Sequence, residues 1–324
     1  MTVARLDHDS AQAAVETVAA AASGQVGLLA RHLESGEELS WHPGVRFGTA
    51  STIKLAIYAE VMRQRAIGQI DLGAEVATSI TDLTGGSGVL GVLRPGLRCT
   101  VADLCTLMMV VSDNTATNML IDRLGGVAAV NEGVALLGYP GLVLDHKVRR
   151  PPPPLIAGPD SLPSEPVPSG AGRPLGTATP AEFCRLLSDL HAGRVIDPAT
   201  SAEMLATLRH QQSRSLIPRF YLAVAEPPRE PDEDGPGIAS KTGWVDGCRV
   251  DTGLLYLPDS GGTVAYCAAA DGLADQTMTT LAEGDELLGQ LGAIMLARWW
   301  PGTRRVPAVS QHAKRYIPIY GFAG

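Results

Sequence analysis

Ser51 and Lys54 stand three residues apart in the run "FGTASTIKLAIYAE", Phe47 to Glu60. Residues three apart share a helix face, so a serine hydroxyl and a lysine amine can meet there, at a helix N-terminus. Thr49 and Ser51 both offer capping hydroxyls, and Leu55, Ile57 and Tyr58 begin an apolar stripe. A lysine at this point faces the positive end of the helix dipole and burial, and both disfavour the ammonium. A neutral amine beside a hydroxyl is a base beside a nucleophile, which is the equipment of acyl transfer. A capping serine followed by a surface lysine has the same pattern, so the pair alone decides nothing.

Two further runs supply company. "VSDNTATN" places Ser112, Asp113 and Asn114 in a polar break between helical patterns, and "SKTGW" places Lys241, Thr242 and Gly243 at the end of a strand. Taken singly, these are also an ordinary helix cap and an ordinary strand end. Taken in this order with Ser-x-x-Lys, they resemble class A β-lactamases and penicillin-binding proteins. The stretches "GSGVLGVLRPG", "SDNTATNMLIDRLGG", "TATPAEF" and "KTGWVDGCRVDTGLL" extend the resemblance over about residues 24 to 300. It implies Ser51 as the acylated nucleophile, Lys54 as its base and Ser112 as a proton relay to the leaving group. Asn114 would bind the acyl side of a substrate, while Lys241 and Thr242, with Gly243, would receive a substrate carboxylate. The backbone N–H groups of Ser51 and Trp244 would form the oxyanion hole. Arg249 could pair with a carboxylate or belong to a structural ion pair.

The chain departs from that family at one point. Class A β-lactamases carry Glu-x-x-Leu-Asn after the helical domain, and its glutamate activates the deacylating water. Here "LVLD" runs into "HKVRRPPPP", and the nearest later carboxylates are Asp160 and Glu165. Glu165 is the candidate substitute, and the competing reading is a solvated charge in a polar loop. Slow β-lactam hydrolysis follows from the missing glutamate.

These residues need elements to hold them. The 324 residues, 45% hydrophobic and 19% charged, can bury a sizeable core. A net charge of -8 without a basic stripe argues against nucleic acid or an anionic membrane as partner. The N-terminal "MTVARLDHDSAQAAVETVAAAASG" has acids where an export signal needs bases and the spacing of an alanine-rich helix, so a cytoplasmic location is expected. Cys99, Cys105, Cys184, Cys248 and Cys267 read as scattered buried thiols, and with no histidine cluster or phosphate loop neither metal nor cofactor is expected.

"QVGLLARHLESGEELSW" reads as a hairpin turning at Ser35-Gly36, and "IASKTGW", "RVDTGLLYLP" and "GTVAYCAAA" read as strands. Helical periods fill the middle, and Thr179, Pro180 and Glu182 form a capping box. Nine of the 23 prolines fall between Pro151 and Pro174, in an extended loop. The expected fold is α/β plus all-α. An antiparallel sheet flanked by N- and C-terminal helices would come from residues 1–48 and 178–300, a helical domain from 49–147, a proline-rich loop from 148–177 and a tail from 301–324. The expected function is a cytoplasmic serine hydrolase or acyltransferase that forms acyl-Ser51 from an ester, amide or β-lactam. An amine or alcohol would be the acyl acceptor, in a biosynthetic setting. The alternatives are a β-lactamase whose signal peptide is missing from this chain, and a penicillin-binding or sensor protein that stays acylated.

Overall fold

Asp7 opens the first helix, α1 (His8–Ala20), by accepting the Ser10 N–H at 2.8 Å. The computed structural model describes residues 5–150, 174–220, 236–258 and 261–300. Ala11, Ala14, Val15, Val18 and Ala19, spaced for one helical face, are the residues α1 buries. Strands β1 (Gln25–His32) and β2 (Glu38–Trp41) follow as an antiparallel hairpin. Gly36 occupies the left-handed region at φ 74° in its turn, a conformation that favours glycine. After β3 (Phe47–Gly48), a 3-10 turn (Ala50–Ile53) runs directly into α2 (Lys54–Ala66).

The middle of the chain is mostly helical. Strands β4 (Glu75–Ala77) and β5 (Arg98–Thr100) form a small ladder before α3 (Val101–Val110), α4 (Asn114–Arg123) and α5 (Val127–Leu136). Strands β6 (Val143–Leu144) and β7 (Gly176–Ala178) pair antiparallel. Next comes α6 (Pro180–His191), where the capping box forms: Thr179 N–H donates to Glu182 Oε2 at 2.9 Å and Glu182 N–H to Thr179 Oγ1 at 3.2 Å. After α7 (Pro198–Arg209) come β8 (Gly237–Val245), β9 (Cys248–Tyr256), β10 (Thr263–Asp271) and α8 (Glu283–Trp299).

The large sheet has the order β2-β1-β10-β9-β8, with every neighbouring pair antiparallel. Alternate residues of a strand share a face, and Leu28 and Ala30 of β1 with Val264, Tyr266 and Ala268 of β10 turn one face into a core with α1 and α8. Strand β8, which carries Lys241, Thr242 and Gly243, lies at the sheet edge.

Two compact units emerge. One takes residues 1–52, 179–188 and 213–324 and holds the sheet; the other takes 53–178 and 189–212. The sequence assigned 189–212 to the sheet domain, yet α7 belongs with the helices. Thr207 Oγ1 lies 3.0 Å from Tyr58 Oη on α2, and Gln211 donates to Met109 O on α3 at 3.2 Å. Residues 151–173 and 301–324, which cover most of the proline-rich loop and all of the tail, lie outside the described residues. All five cysteines are buried and free, as the sequence suggests. Among the described residues no helix is long and apolar enough to cross a membrane.

Candidate active site

In the sheet unit, Ser51 sits on the 3-10 turn that follows β3. The capping hydroxyls expected at Thr49 and Ser51 are not used as such. Ala50 enters the turn at φ 44°, the residue before α2 is Ile53, and no side chain caps that helix. This leaves the Ser51 side chain without a capping task. Gly243 of β8 lies directly against the turn: a Cβ there would stand 2.8 Å from Ser51 N and 2.9 Å from Thr49 O. Only glycine lets the strand backbone come this close.

Its neighbours on β8 are buried in different ways. Lys241 is fully buried and donates to Thr242 O at 2.7 Å. Burial pushes the Lys241 ammonium down to about 7, against the opposing pull of the Asp251 carboxylate. Asp251, on β9, is itself pushed up to about 7 by burial, even though it accepts from Ile217 N–H and Tyr266 Oη at 3.1 Å each. Thr242 is buried, whereas the Trp244 side chain is 40% exposed.

In the helical unit, Lys54 is the first residue of α2 and is fully buried. Its Nζ donates to Ser112 O at 2.7 Å, Ser112 Oγ at 3.1 Å and Asn114 Oδ1 at 2.8 Å. Ser112 O and Asn114 Oδ1 can only accept, and the two N–H groups of a neutral amine suffice for them, which leaves its lone pair to act as a base. The Ser-Asp-Asn break is shaped for the purpose. Ser112 adopts φ 56°, a strained conformation for a residue other than glycine, typically ~1–3 kcal/mol. Asp113 caps α4 by accepting from Ala116 N–H at 2.9 Å. Its other oxygen accepts from Val89 and Leu90 N–H at 2.6 and 2.8 Å. Asn114 Nδ2 donates to Gly85 O at 2.9 Å, which leaves its Oδ1 facing Lys54.

Segment 84–90 is therefore a support of the Lys54 cluster. Ser87 Oγ donates to Ser112 O at 2.7 Å, and a Cβ on Gly88 would collide with Asp113 at 2.3 Å. The sequence reading names Asp113 within the Ser-Asp-Asn break and Ser87 within "GSGVLGVLRPG" but gives neither a task. The density of glycine and serine before Ser-Asp-Asn was the available signal.

Arg249 requires a correction. It is 2% exposed, and its Nε is bonded to Asp285 Oδ2 at 2.5 Å. Nη1 donates to Val245 O and Cys248 O, and Nη2 to Thr277 O. A guanidinium bound by a carboxylate and three carbonyls is not offered to a substrate carboxylate, so the structural alternative holds. Glu165, with Asp160, lies outside the described residues. Among the described residues no group of three His, Cys, Asp or Glu side chains could hold a metal ion.

Comparison with known proteins identifies the family. The profile of the Beta-lactamase enzyme family matches residues 10–299. The crystal structure of a β-lactamase from Sphaerobacter thermophilus is 30% identical, with TM-score 0.71, and the match covers 90% of this chain and 97% of that one. PBP-A is similar at TM-score 0.68 and 22% identity, covering 91% of this chain and 97% of PBP-A. An ancestral class A β-lactamase reaches TM-score 0.69 at 21% identity, covering 88% of this chain and 98% of that one, and shares the fold. With a serine and a buried lysine held as described on a class A β-lactamase fold, the chain belongs to the β-lactamase enzyme family and is a serine hydrolase.

Proposed function

We propose that this enzyme forms an acyl-Ser51 intermediate from an ester, amide or β-lactam and passes the acyl group to an amine or alcohol more readily than to water. The observation that carries the reading is the buried Lys54, three residues after Ser51, with Nζ on Ser112 and Asn114. Ser51 Oγ attacks the carbonyl carbon as Lys54 takes its proton. The N–H groups of Ser51 and Trp244 receive the developing oxyanion. Among the Ser112 and Asn114 oxygens bonded to Lys54 Nζ, the Ser112 hydroxyl alone can both accept and donate a proton, which suits it to hand one to the departing amine or alkoxide. The C–O or C–N bond then breaks and acyl-Ser51 remains. Lys241 and Thr242 favour substrates that carry a carboxylate.

Transfer is favoured because the sequence lacks Glu-x-x-Leu-Asn, the element that activates water in class A β-lactamases. Hydrolysis of β-lactams is the second reading, supported by the 30% identity to the Sphaerobacter β-lactamase. A mutant of PBP-A has been solved as an acyl-enzyme complex with penicillin G, which suggests that drug as a probe.

Intact-mass spectra after incubation with penicillin G and with a chromogenic ester test the proposal. A single acyl adduct should form and be lost in Ser51→Ala; an adduct that persists in Ser51→Ala overturns the assignment. Product partition with added hydroxylamine decides between the two readings. Acyl hydroxamate should exceed free acid, and multiple rapid turnovers of penicillin with water alone would favour the β-lactamase.

A further inference from the structure

Gly48 is buried and has no side chain, yet each of its backbone polar groups meets a side chain from another strand. Its N–H donates to Asp271 Oδ2 at 2.9 Å, and its carbonyl accepts from the Cys248 thiol at 3.2 Å. Asp271 is the last residue of β10 and Cys248 the first of β9, so two neighbouring strands of the large sheet grip one peptide. Both gripping residues are fixed in turn. The second oxygen of Asp271 accepts from Gly272 N–H at 2.9 Å, and Leu273 N–H donates to Gly247 O at 2.9 Å, which ties the end of β10 to the β8–β9 turn. Burial, and after it the Asp271 charge, pushes the Cys248 thiol up, so the thiol keeps its proton and remains a donor.

What the grip controls lies three residues on. Thr52 N–H and Thr52 Oγ1 both donate to Thr49 O, at 3.0 and 2.7 Å, so residues 49–52 form a closed turn that moves as one piece. Ala50 inside it holds φ 44°, a conformation that a residue with a Cβ keeps only where its surroundings impose it. Gly48 is where two strands of the sheet take hold of the chain that enters this turn. The same residues reach β8. Cys248 is the register partner of Val245, the residue after Trp244. The Ser51 and Trp244 N–H groups assigned to the oxyanion are therefore joined through Gly48, Cys248 and one rung of the β8–β9 ladder. Such a pair works only when both donors lie within about 2.7–3.1 Å of one oxygen.

We propose that Asp271 and Cys248 are positioning residues for acylation: by holding the N–H and the C=O of Gly48, they set the distance between the two oxyanion donors and the direction of the Ser51 turn. Neither touches substrate. The proposal rests on the Ser51 reading and adds the residues that aim it. Bonds that merely stabilise the fold would cost folded protein when removed, and would leave the rate per folded molecule unchanged.

The test pairs each removal with a replacement that keeps the hydrogen bond. Asp271→Ala and Cys248→Ala delete the acceptor and the donor, whereas Asp271→Asn keeps an acceptor oxygen and Cys248→Ser a donor of nearly the same size. Single-turnover acylation by a chromogenic ester is followed by stopped flow, KM at steady state, the penicillin adduct on Ser51 by mass spectrometry, and the folded fraction by urea denaturation. The same ester with sulfur in place of its carbonyl oxygen reads the oxyanion site itself, because sulfur is larger and a poorer acceptor. In both alanine variants the acylation rate constant should fall at least about tenfold, part of the roughly 10²–10³-fold that loss of a whole donor costs, with KM within about twofold of wild type. The ratio of oxygen-ester to sulfur-ester rates should fall with it. Asp271→Asn and Cys248→Ser should restore both quantities to within about threefold of wild type. Wild-type rates and ratios in the folded alanine variants overturn the proposal and leave Ser51 standing, since penicillin still labels it. A loss in the asparagine or serine variant as large as in its alanine counterpart, or of about tenfold where the alanine variant does not fold, also overturns it. A wild type that forms no acyl-Ser51 with any reagent overturns both readings.

Discussion

Replacing Gly243 by alanine tests the oxyanion hole through one methyl group. The added carbon would stand 2.8 Å from Ser51 N, 2.9 Å from Thr49 O and 3.0 Å from Ala50 Cβ. Ordinary contacts of this kind are about 3.5 Å or longer, so the turn or the strand must yield by roughly half an ångström. The atoms it meets are backbone or Cβ, so no flexible side-chain end can absorb the shift. A donor serving an oxyanion must lie within about 2.7–3.1 Å of it, and loss of one such donor lowers the rate roughly 10²–10³-fold. Overpacking should destabilise the fold by about 1–3 kcal/mol, which leaves a folded protein to assay. Gly44 serves as the control: a Cβ there meets nothing within 4 Å, and its backbone is not left-handed. Acylation by a chromogenic ester, followed by stopped-flow absorbance, should fall at least about a hundredfold in Gly243→Ala and stay within twofold of wild type in Gly44→Ala. Retention of the wild-type rate in a folded Gly243→Ala protein would show that Ser51 N–H does not hold the oxyanion.

Lys54→Met keeps the volume and removes the amine; acylation should drop roughly 10²–10⁴-fold while chemical denaturation still shows a folded protein, and an unchanged acylation rate refutes Lys54 as base. Lys241 titrates near 7 because burial disfavours its charge, so its ammonium is present below that pH and lost above it. Between pH 6 and 8, kcat/KM for carboxylate-bearing substrates should therefore fall by about tenfold relative to neutral esters, and Asp251→Asn, which removes the charge that supports the ammonium, should move that midpoint lower. Parallel profiles for acids and neutral esters would remove Lys241 from substrate reading. Arg249→Met should destabilise the protein by about 3–5 kcal/mol in urea, since Asp285 is left buried and unpaired, with no selective loss for acidic substrates.

What could be read from the sequence and what could not divide along a physical line. The Ser51–Lys54 pair, the Thr179 capping box and the strands that become β8, β9 and β10 depend on neighbours a few residues away, and local spacing reports such relations directly. The Lys54 partners are 58 and 60 residues downstream; only motif resemblance brought them into view, and the structure supplies the distances. Arg249 and Asp285 lie 36 residues apart on elements joined by packing alone, and nothing in "GCRVD" says which way the arginine turns. A strand offers two faces, and the choice between them belongs to the register. With Trp244 opposite Arg249, the glycine-closed turn at Gly247 brings the arginine back towards its own strand end, within reach of Val245 O. The residue that looked like a reader of substrate charge is thereby spent on the backbone at the end of β8.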